Sequence, residues 1–179
     1  MNSNFIDKIP SGSPKEINVM IEIPKGSNIK YEIDKESGIL FVDRKLFTAM
    51  FYPCNYGFIP STLEGDGDPV DVLVIGEFVV SPLSILRAIP IGVLLTEDEE
   101  GQDSKIIAIP IRKIDSSFSY IQDIDDLPEM LKKQIEHFFA HYKELEGGKY
   151  VKITGWGNKE IAEKRIIEAI NRYRQINRR

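Results

Sequence analysis

The sequence predicts an α+β fold, mainly β, in which a barrel of short strands is followed by two packed helices. Two observations support this prediction. Apolar and polar residues alternate in several short runs up to residue 111, and the apolar period becomes helical beyond residue 126. The chain has 179 residues, which suits one domain with a sizeable core, and we expect a single domain over residues 1–179.

The predicted strands occupy most of the first two thirds of the chain. Residues 1–15 are polar and are predicted to form an extended arm, whereas residues 50–60 are aromatic and are predicted to be irregular. Residues 35–38 have the composition of a hairpin turn between the second and third strands. The predicted strands cover residues 17–23, 29–34, 39–43, 70–75, 85–96 and 105–111, with a short one at 150–153.

Two helices are predicted in the last third of the chain. An acidic residue near the cap, followed by Pro128, favours a helix start, and Gly147 and Gly148 are predicted to end this first helix. A second helix is predicted from about Asn158 to near the C-terminus. The first helix has apolar residues at a helical spacing that would bury one of its faces, namely Leu131, Ile135, Phe138, Phe139 and Tyr142.

Composition and charge exclude several classes of protein. The formal net charge of −5 lacks the basic excess of a nucleic-acid binder, so no nucleic-acid partner is expected. No stretch approaches the roughly 18 apolar residues of a membrane helix, and residues 1–14 lack the apolar core of a signal peptide. The single cysteine, Cys54, excludes an intramolecular disulfide and fits a reducing compartment. We therefore expect a cytoplasmic protein without a membrane partner.

An acidic cluster, residues 66–71, contains three aspartates in six positions. Asp66, Asp68 and Asp71 would repel one another unless a cation offsets their charge, and oxygen ligands suit hard cations such as magnesium or manganese. A solvated acidic turn stays open as the alternative, because aspartate and glycine are common turn residues. A calcium EF-hand is excluded, because Val70 and Asp71 occupy positions that need a ligand and a glycine.

A second acidic group follows another predicted strand, at residues 97–103. By itself it would be an exposed hairpin, and a joint site with the first cluster requires both loops to meet at one barrel mouth. His137 and His141 are four residues apart on the first helix, but no glutamate follows His137 as in zinc proteases. We interpret both histidines as structural or surface residues.

Basic and phenolic residues could complement the acidic loops. Arginine binds phosphate oxygens with a forked geometry and lysine acts as a point charge, so Lys30, Arg44, Lys105 and Lys143 could hold an anionic substrate. Each of them, considered alone, is better explained as an ordinary surface charge. Phenolic donors are available as well, although Tyr142 lies on the apolar stripe of the first helix and could simply be a core residue.

The segment Asp66-Gly67-Asp68-Pro69-Val70-Asp71-Val72 resembles the signature of the family I soluble inorganic pyrophosphatases, bacterial type. The resemblance covers almost the whole chain in order and ends with the Gly155-Trp156 region and the final helix. Its other motifs are Ile21-Glu22-Ile23-Pro24, Lys30-Tyr31-Glu32, Phe41-Val42-Asp43-Arg44, Tyr52-Pro53-Cys54-Asn55-Tyr56-Gly57, Asp98, Asp103-Ser104-Lys105 and His141-Tyr142-Lys143.

This resemblance implies a five-stranded, OB-like β-barrel flanked by two α-helices. It also implies hydrolysis of inorganic pyrophosphate to two phosphates by magnesium-activated water, with several Mg²⁺ ions in each active site. The protein would self-associate as a homohexamer. A non-catalytic OB-like binding module for an anionic ligand is the alternative function.

The resemblance also implies roles for individual residues. Asp68 would be the general base, and Glu22 would support the network at its edge. The metal ligands would be Asp66, Asp71, Asp98, Asp103 and Glu32. The residues around the phosphoryl groups would be Lys30, Arg44, Tyr56, Lys105, Tyr142 and Lys143.

Overall fold

The computed structural model of the protein describes residues 5–34, 37–99 and 101–176. Within these residues it has ten strands and two α-helices. The helices are α1 (Glu129–His141) and α2 (Lys159–Ile176). The strands are β1 (Gly12–Ser13), β2 (Glu16–Ile23), β3 (Ile29–Ile33), β4 (Leu40–Lys45), β5 (Asn55–Phe58), β6 (Asp71–Val74), β7 (Ile85–Asp98), β8 (Gly101–Gln102), β9 (Lys105–Pro110) and β10 (Val151–Asn158).

Five of the described strands pair in a closed ring. β2 pairs with β5, β5 with β6, β6 with β9, β9 with β7, and β7 returns to β2. β7 closes the ring because it is 14 residues long: its first part pairs with β2, and its later part pairs with β9 and β10. The predicted mainly β fold with a five-stranded barrel and two helices is therefore confirmed.

The two helices cover opposite sides of the sheet, and strand periodicity explains how. Successive side chains of a strand point to opposite faces. On β6, Leu73 packs in the cluster that contains Ile135 and Phe139 of α1, whereas Val72 and Val74 pack in the cluster that contains Ile166 of α2. A near-continuous apolar strand such as β6 is thus buried on both faces.

The hairpin β3–β4 forms a separate two-stranded sheet beside the barrel. The backbone N–H of Ile33 donates a hydrogen bond of 2.9 Å to the carboxylate of Glu22 on β2, and the N–H of Leu46 donates to the carbonyl of Asn28. The first contact ties the hairpin to the barrel, and the second joins the two ends of the hairpin, whose charged residues include Lys30 and Arg44.

Two predicted boundaries and one segment predicted to be irregular were wrong. The first helix ends at His141 and not at Gly147, because hydrogen bonds over three residues, such as Glu146 N–H to Lys143 carbonyl at 2.8 Å, replace the helical ladder. Residues 55–58 are strand β5 and not irregular; their aromatic and small residues conceal the alternation that marks a strand. The last strand continues to Asn158, past an irregularity in its pairing at residues 153–155, where Gly155 has a φ of +143°.

The predicted extended arm is wrong for residues 5–8, which form a 3₁₀ helix, whereas residues 12–13 are extended as β1 and pair antiparallel with β2. In the described part of the chain, neither helix has the length and apolar character needed to cross a membrane.

Candidate active site

The two acidic loops, the β3–β4 hairpin and the segment after α1 meet around one cavity of about 310 Å³. Twelve of the thirteen site residues named from the sequence line this cavity, and the thirteenth, Glu22, lines an adjoining one of about 450 Å³. The described residues that line the smaller cavity are Lys30, Glu32, Asp43, Arg44, Tyr56, Asp66, Asp68, Asp71, Asp98, Glu99, Gln102, Asp103, Lys105, Tyr142, Lys143 and Lys149.

This lining is charged and acidic overall. It contains eight carboxylates and five basic side chains among the described residues, so three negative charges are left over. Carboxylates crowded into one cavity repel one another, and the arrangement favours the binding of cations. Basic groups on the same wall add the ability to hold an anion, so the cavity can bind both at once.

Lys105 lies at the base of the cavity between two carboxylates. Its ammonium group is 2.6 Å from Asp71 and also pairs with Asp103. Burial alone would lower the pKa of Lys105, but these two carboxylates outweigh burial and raise it, so the side chain stays charged. For Asp71, burial raises the pKa above its ordinary value even though Lys105 opposes this shift.

The loop that carries Asp66 and Asp68 is held by its own short turns. The N–H of Glu64 donates to the carbonyl of Asp68 at 2.7 Å, and the N–H of Asp68 donates to the carboxylate of Asp66 at 2.9 Å. Gly67 has a φ of +94°, a left-handed conformation that glycine adopts without strain. Asp66 and Asp68 are both exposed, as groups that receive ligands from solvent must be.

The second acidic loop brings Asp98 and Asp103 to the same cavity. The hydroxyl of Thr96 donates to the carbonyl of Asp103, and the N–H of Asp103 donates back to the carbonyl of Thr96 at 3.0 Å. The ammonium of Lys143, just after α1, lies 3.0 Å from the buried carboxylate of Asp98. Thus the C-terminal end of α1 and the β7–β9 connection are joined by an ion pair in the wall of the site.

The β3–β4 hairpin contributes a further set of paired charged side chains to the cavity. Lys30 pairs with Glu32 and lies 3.4 Å from Asp43, while the guanidinium of Arg44 pairs with both Asp43 and Glu146. Burial raises the pKa of Asp43, but Lys30 and Arg44 outweigh burial and hold that pKa below its ordinary value. Asp43 is therefore a carboxylate that remains ionised between two cations.

Aromatic packing positions the phenols. Tyr56 on β5 donates to Asp71 at 2.5 Å, and Tyr52 packs between Tyr56 and Phe138 with ring centroids 5.6 and 4.8 Å away. Burial raises the pKa of Tyr56 and of Tyr142 well above the ordinary value, so both phenols stay protonated and can donate hydrogen bonds. Tyr142 thus belongs to the core cluster and to the cavity wall, the two alternatives that the sequence left open.

Glu22 differs from the other carboxylates because of its position on β2, where it faces the larger cavity. Burial is the main cause that raises its pKa to about 8, with Asp71 and Glu32 adding to the shift, while the N–H of Ile33 opposes it. Glu22 therefore stays protonated at neutral pH, where a carboxyl group with the ordinary pKa of 4.5 is ionised.

No three Asp, Glu, His or Cys side chains among the described residues converge as a ready metal-binding group. Ion pairs account for this arrangement, because Lys105 lies between Asp71 and Asp103 and Lys143 pairs with Asp98. The donors are nonetheless all oxygen atoms opening on one cavity with an excess of negative charge, which fits hard divalent cations.

Helix α2 holds the acidic loop in place through residues that the sequence patterns did not indicate. Arg172 donates to the carbonyl of Leu63 at 3.0 Å and to the carboxylate of Glu64 at 3.3 Å. Arg165 lies 3.7 Å from Glu64 and donates to Gln102 at 3.4 Å, next to the second acidic loop. One arginine pair therefore links both acidic loops to α2, and only the tertiary contact reveals it.

The remaining candidates lie outside the cavity. Cys54 is a buried core residue, and burial raises the pKa of its thiol to about 12, so the thiol stays protonated at neutral pH. His137 and His141 have ring centroids 4.6 Å apart on α1, and His141 pairs with Glu144 at 2.9 Å.

Comparison with known proteins gives a consistent assignment. The profile of the inorganic pyrophosphatase family matches residues 19–174. The chain belongs to this family. It is 60% identical over 173 residues to the inorganic pyrophosphatase of Rickettsia typhi, which covers 96% of this chain and 97% of the relative. The corresponding protein of Saccharolobus solfataricus is 58% identical over 91% of this chain and 95% of its own length.

Solved structures of the family share the fold as well. The inorganic pyrophosphatase of Helicobacter pylori superposes with a TM-score of 0.91 at 51% identity, covering 93% of this chain and 98% of that chain. The Thermus thermophilus enzyme superposes with a TM-score of 0.90 at 44% identity, covering 93% and 97%. The resemblance to family I inorganic pyrophosphatases is thereby confirmed.

Membership at this identity and coverage makes the chain an inorganic diphosphatase, an enzyme that hydrolyses pyrophosphate and depends on metal ions as the family does. The alternative, an OB-like module that binds an anionic ligand without chemistry, is not favoured.

Proposed function

We propose that this chain hydrolyses inorganic pyrophosphate to two phosphates in the smaller cavity, with Mg²⁺ ions as cofactors and Asp68 as the general base. The observation that carries this proposal is the joint lining of one cavity by carboxylates from both acidic loops and by cations from the hairpin and the segment after α1. A polyanionic substrate and its metal ions need both kinds of group within reach.

The carboxylates Asp66, Asp71 and Asp103 would hold the tightest Mg²⁺, and Asp98 and Glu32 would assist further ions. All five line the cavity and offer only oxygen donors, the preference of magnesium. When bound, such ions lower the pKa of a coordinated water from 15.7 towards about 7 and neutralise charge on phosphate. We propose that each active site binds several Mg²⁺ ions.

We assign to Asp68 the role of accepting a proton from the attacking water. It lies at the tip of the acidic loop, exposed to the cavity, and its backbone is fixed by Asp66 and Glu64. Asp71, which Tyr56 and Lys105 contact, is assigned to metal binding instead. A positioned carboxylate base contributes about 10²–10⁴-fold to a reaction rate.

The cations would bind and orient the phosphoryl groups. Lys30 and Arg44 approach from the hairpin, Lys105 from the base of the cavity and Lys143 from the end of α1. The protonated phenols of Tyr56 and Tyr142 would add neutral donors. Most catalysis of phosphoryl transfer comes from such positioning and electrostatic stabilisation.

The test is release of phosphate from pyrophosphate, measured with and without Mg²⁺. Lys133→Met, a substitution at an exposed position, is prepared in parallel and should behave like the wild type. We expect release that depends on Mg²⁺ and is lost in a chelator. Release that a chelator leaves unchanged, or no release at any Mg²⁺ concentration, would contradict the proposal. Native mass measurement on the same sample tests the proposed homohexamer, and a cytoplasmic location stays a prediction from the sequence.

A further inference from the structure

Arg44 has a guanidinium group whose three nitrogen atoms have different surroundings. Nη1 donates to Asp43, and Nε donates to the carboxylate of Glu146 at 2.9 Å. Nη2 is buried and has no hydrogen-bond partner among the described residues. Because a buried N–H without a partner is costly, Nη2 is a donor for which a ligand oxygen in the cavity would be a favourable acceptor.

Glu146 is held rigidly behind this arginine. Its side chain is only 8% exposed, and one carboxylate oxygen accepts from Arg44 while the other lies 3.8 Å from the ammonium of Lys149. Its backbone N–H donates to the carbonyl of Lys143 at 2.8 Å, and its carbonyl accepts from the N–H of Lys149 at 3.1 Å. Glu146 does not line the smaller cavity, so any effect on substrate must pass through a neighbour.

Two acceptors on different nitrogen atoms fix the plane of a guanidinium group, whereas one acceptor leaves it free to rotate. Asp43 and Glu146 hold Arg44 at Nη1 and Nε; Asp43 is its neighbour in the chain, whereas Glu146 lies 102 residues beyond Arg44. With both contacts in place, the direction of the Nη2 donor is set by the protein before substrate arrives.

We propose that Glu146 is a positioning residue, which orients Arg44 so that its Nη2 atom donates to a phosphoryl oxygen of pyrophosphate. This inference rests on the proposed function, in which Arg44 binds the phosphoryl group. It adds a role for a carboxylate that contacts neither substrate nor metal ions. A preorganised donor improves binding because the cost of ordering the side chain is met during folding.

The kinetic test is a double-mutant cycle on pyrophosphate hydrolysis at fixed Mg²⁺. Glu146→Ala should lower kcat/KM by about 10- to 100-fold, the usual cost of losing an outer-shell partner. The same substitution in an Arg44→Ala background should cost less than about twofold, because the group through which Glu146 acts is gone. An equal loss in both backgrounds would overturn the proposal, since it would show a role independent of Arg44.

Two further variants separate charge from hydrogen bonding. Glu146→Gln keeps an oxygen acceptor for Nε but removes the charge, so it should retain more activity than Glu146→Ala. It also replaces Glu146→Ala in the kinetic test if that variant does not fold. Glu144→Gln, two residues away and exposed, pairs only with His141 among the contacts seen and should stay within about twofold of wild type. A loss in Glu144→Gln as large as that in Glu146→Ala would overturn the proposal.

Crystal structures of the two Glu146 variants provide a readout that does not need activity. A rotated Arg44 guanidinium in Glu146→Ala, with its wild-type plane kept in Glu146→Gln, supports the proposal. An unchanged guanidinium plane in Glu146→Ala overturns it. If the wild-type protein released no phosphate, the proposed function would fail, while these structures would still decide whether Glu146 orients Arg44.

Discussion

The ammonium group of Lys105 lies 2.6 Å from a carboxylate oxygen of Asp71, joining two strands that run parallel, β9 and β6. The lysine side chain is 4% exposed and that of Asp71 is 27% exposed, so the pair is shielded from water on its lysine side. Removing one partner of such a pair leaves a partly buried charge without its counter-ion, which is costly.

Lys105→Met should therefore destabilise the protein, and more so without metal ions. In a chelator we expect the free energy of unfolding to fall by about 2–3 kcal/mol, less than for a fully buried pair because Asp71 is partly exposed. Mg²⁺ should restore part of this loss by supplying positive charge to Asp71 and Asp103. Denaturant unfolding measures both values; Lys133→Met, which removes an exposed pair, is the control. An equal loss with and without Mg²⁺ would contradict the explanation.

Asp68→Asn should keep the fold and Mg²⁺ binding but lower kcat by about 10²–10⁴-fold, because asparagine cannot accept the proton. Steady-state kinetics and calorimetric titration with Mg²⁺ measure the two effects separately. Asp125→Asn is the matched control, since Asp125 is exposed and outside the cavity. Wild-type turnover in Asp68→Asn would remove Asp68 from the role of base.

Glu22 makes stability depend on pH. Its folded-state pKa of about 8 lies above its ordinary value of 4.5. The contribution of protonated Glu22 to the free energy of unfolding is therefore fully present below about pH 4.5 and is lost as pH rises through 8. Glu22→Gln keeps an acceptor for the Ile33 N–H and stays neutral. Because one pKa unit equals about 1.4 kcal/mol, this variant should be more stable than wild type at pH 8 by at least about 1 kcal/mol.

Thermal unfolding in a chelator, from pH 4 to pH 9, measures this difference. At this chain length, the melting temperature of Glu22→Gln should exceed that of wild type by about 2–4 °C for each kcal/mol of added stability. This difference should vanish at the acidic end of the pH range. Glu77→Gln, at an exposed position, should show no such profile. A gain that is constant across the pH range would contradict the assignment to Glu22.

Local patterns explain which parts of the protein were predictable. Loose alternation identified β2, whereas a short apolar run bounded by turn residues identified β9, whose residues are all buried. Asp66 and Asp71 stood out because like charges so close in sequence require an explanation. Lys105 could be associated with the acidic residues because Asp103 is only two residues away in the sequence.

Contacts between distant segments could not be predicted in this way. Glu146 looks like Glu144 in the sequence, yet Glu146 is buried against Arg44 and Glu144 is exposed. Glu64 meets Arg172, 108 residues further along, only because α2 packs beside the acidic loop. Nothing local distinguishes such residues, since burial and partners arise from the tertiary fold.

Gly57 is required where β5 crosses close to β2. A Cβ atom at this position would overlap the carbonyl oxygen of Met20 and lie 2.8 Å from its carbonyl carbon and 2.9 Å from the Cα atom of Ile21. These are backbone atoms of a paired strand, so they cannot move aside as a flexible side chain can. Alanine at this position must therefore push β5 away from β2.

Gly57→Ala should destabilise the protein by about 3 kcal/mol, the upper part of the usual cost of overpacking. It should also reduce turnover, because Tyr56 precedes Gly57 on β5 and β5 pairs with β6, whose first residue is Asp71. Gly147→Ala is the matched control, since a Cβ there meets no atom within 4 Å. Denaturant unfolding and pyrophosphate hydrolysis of both variants provide the test. If both alanine variants were equally stable, the close approach of β2 and β5 would not be what requires glycine at position 57.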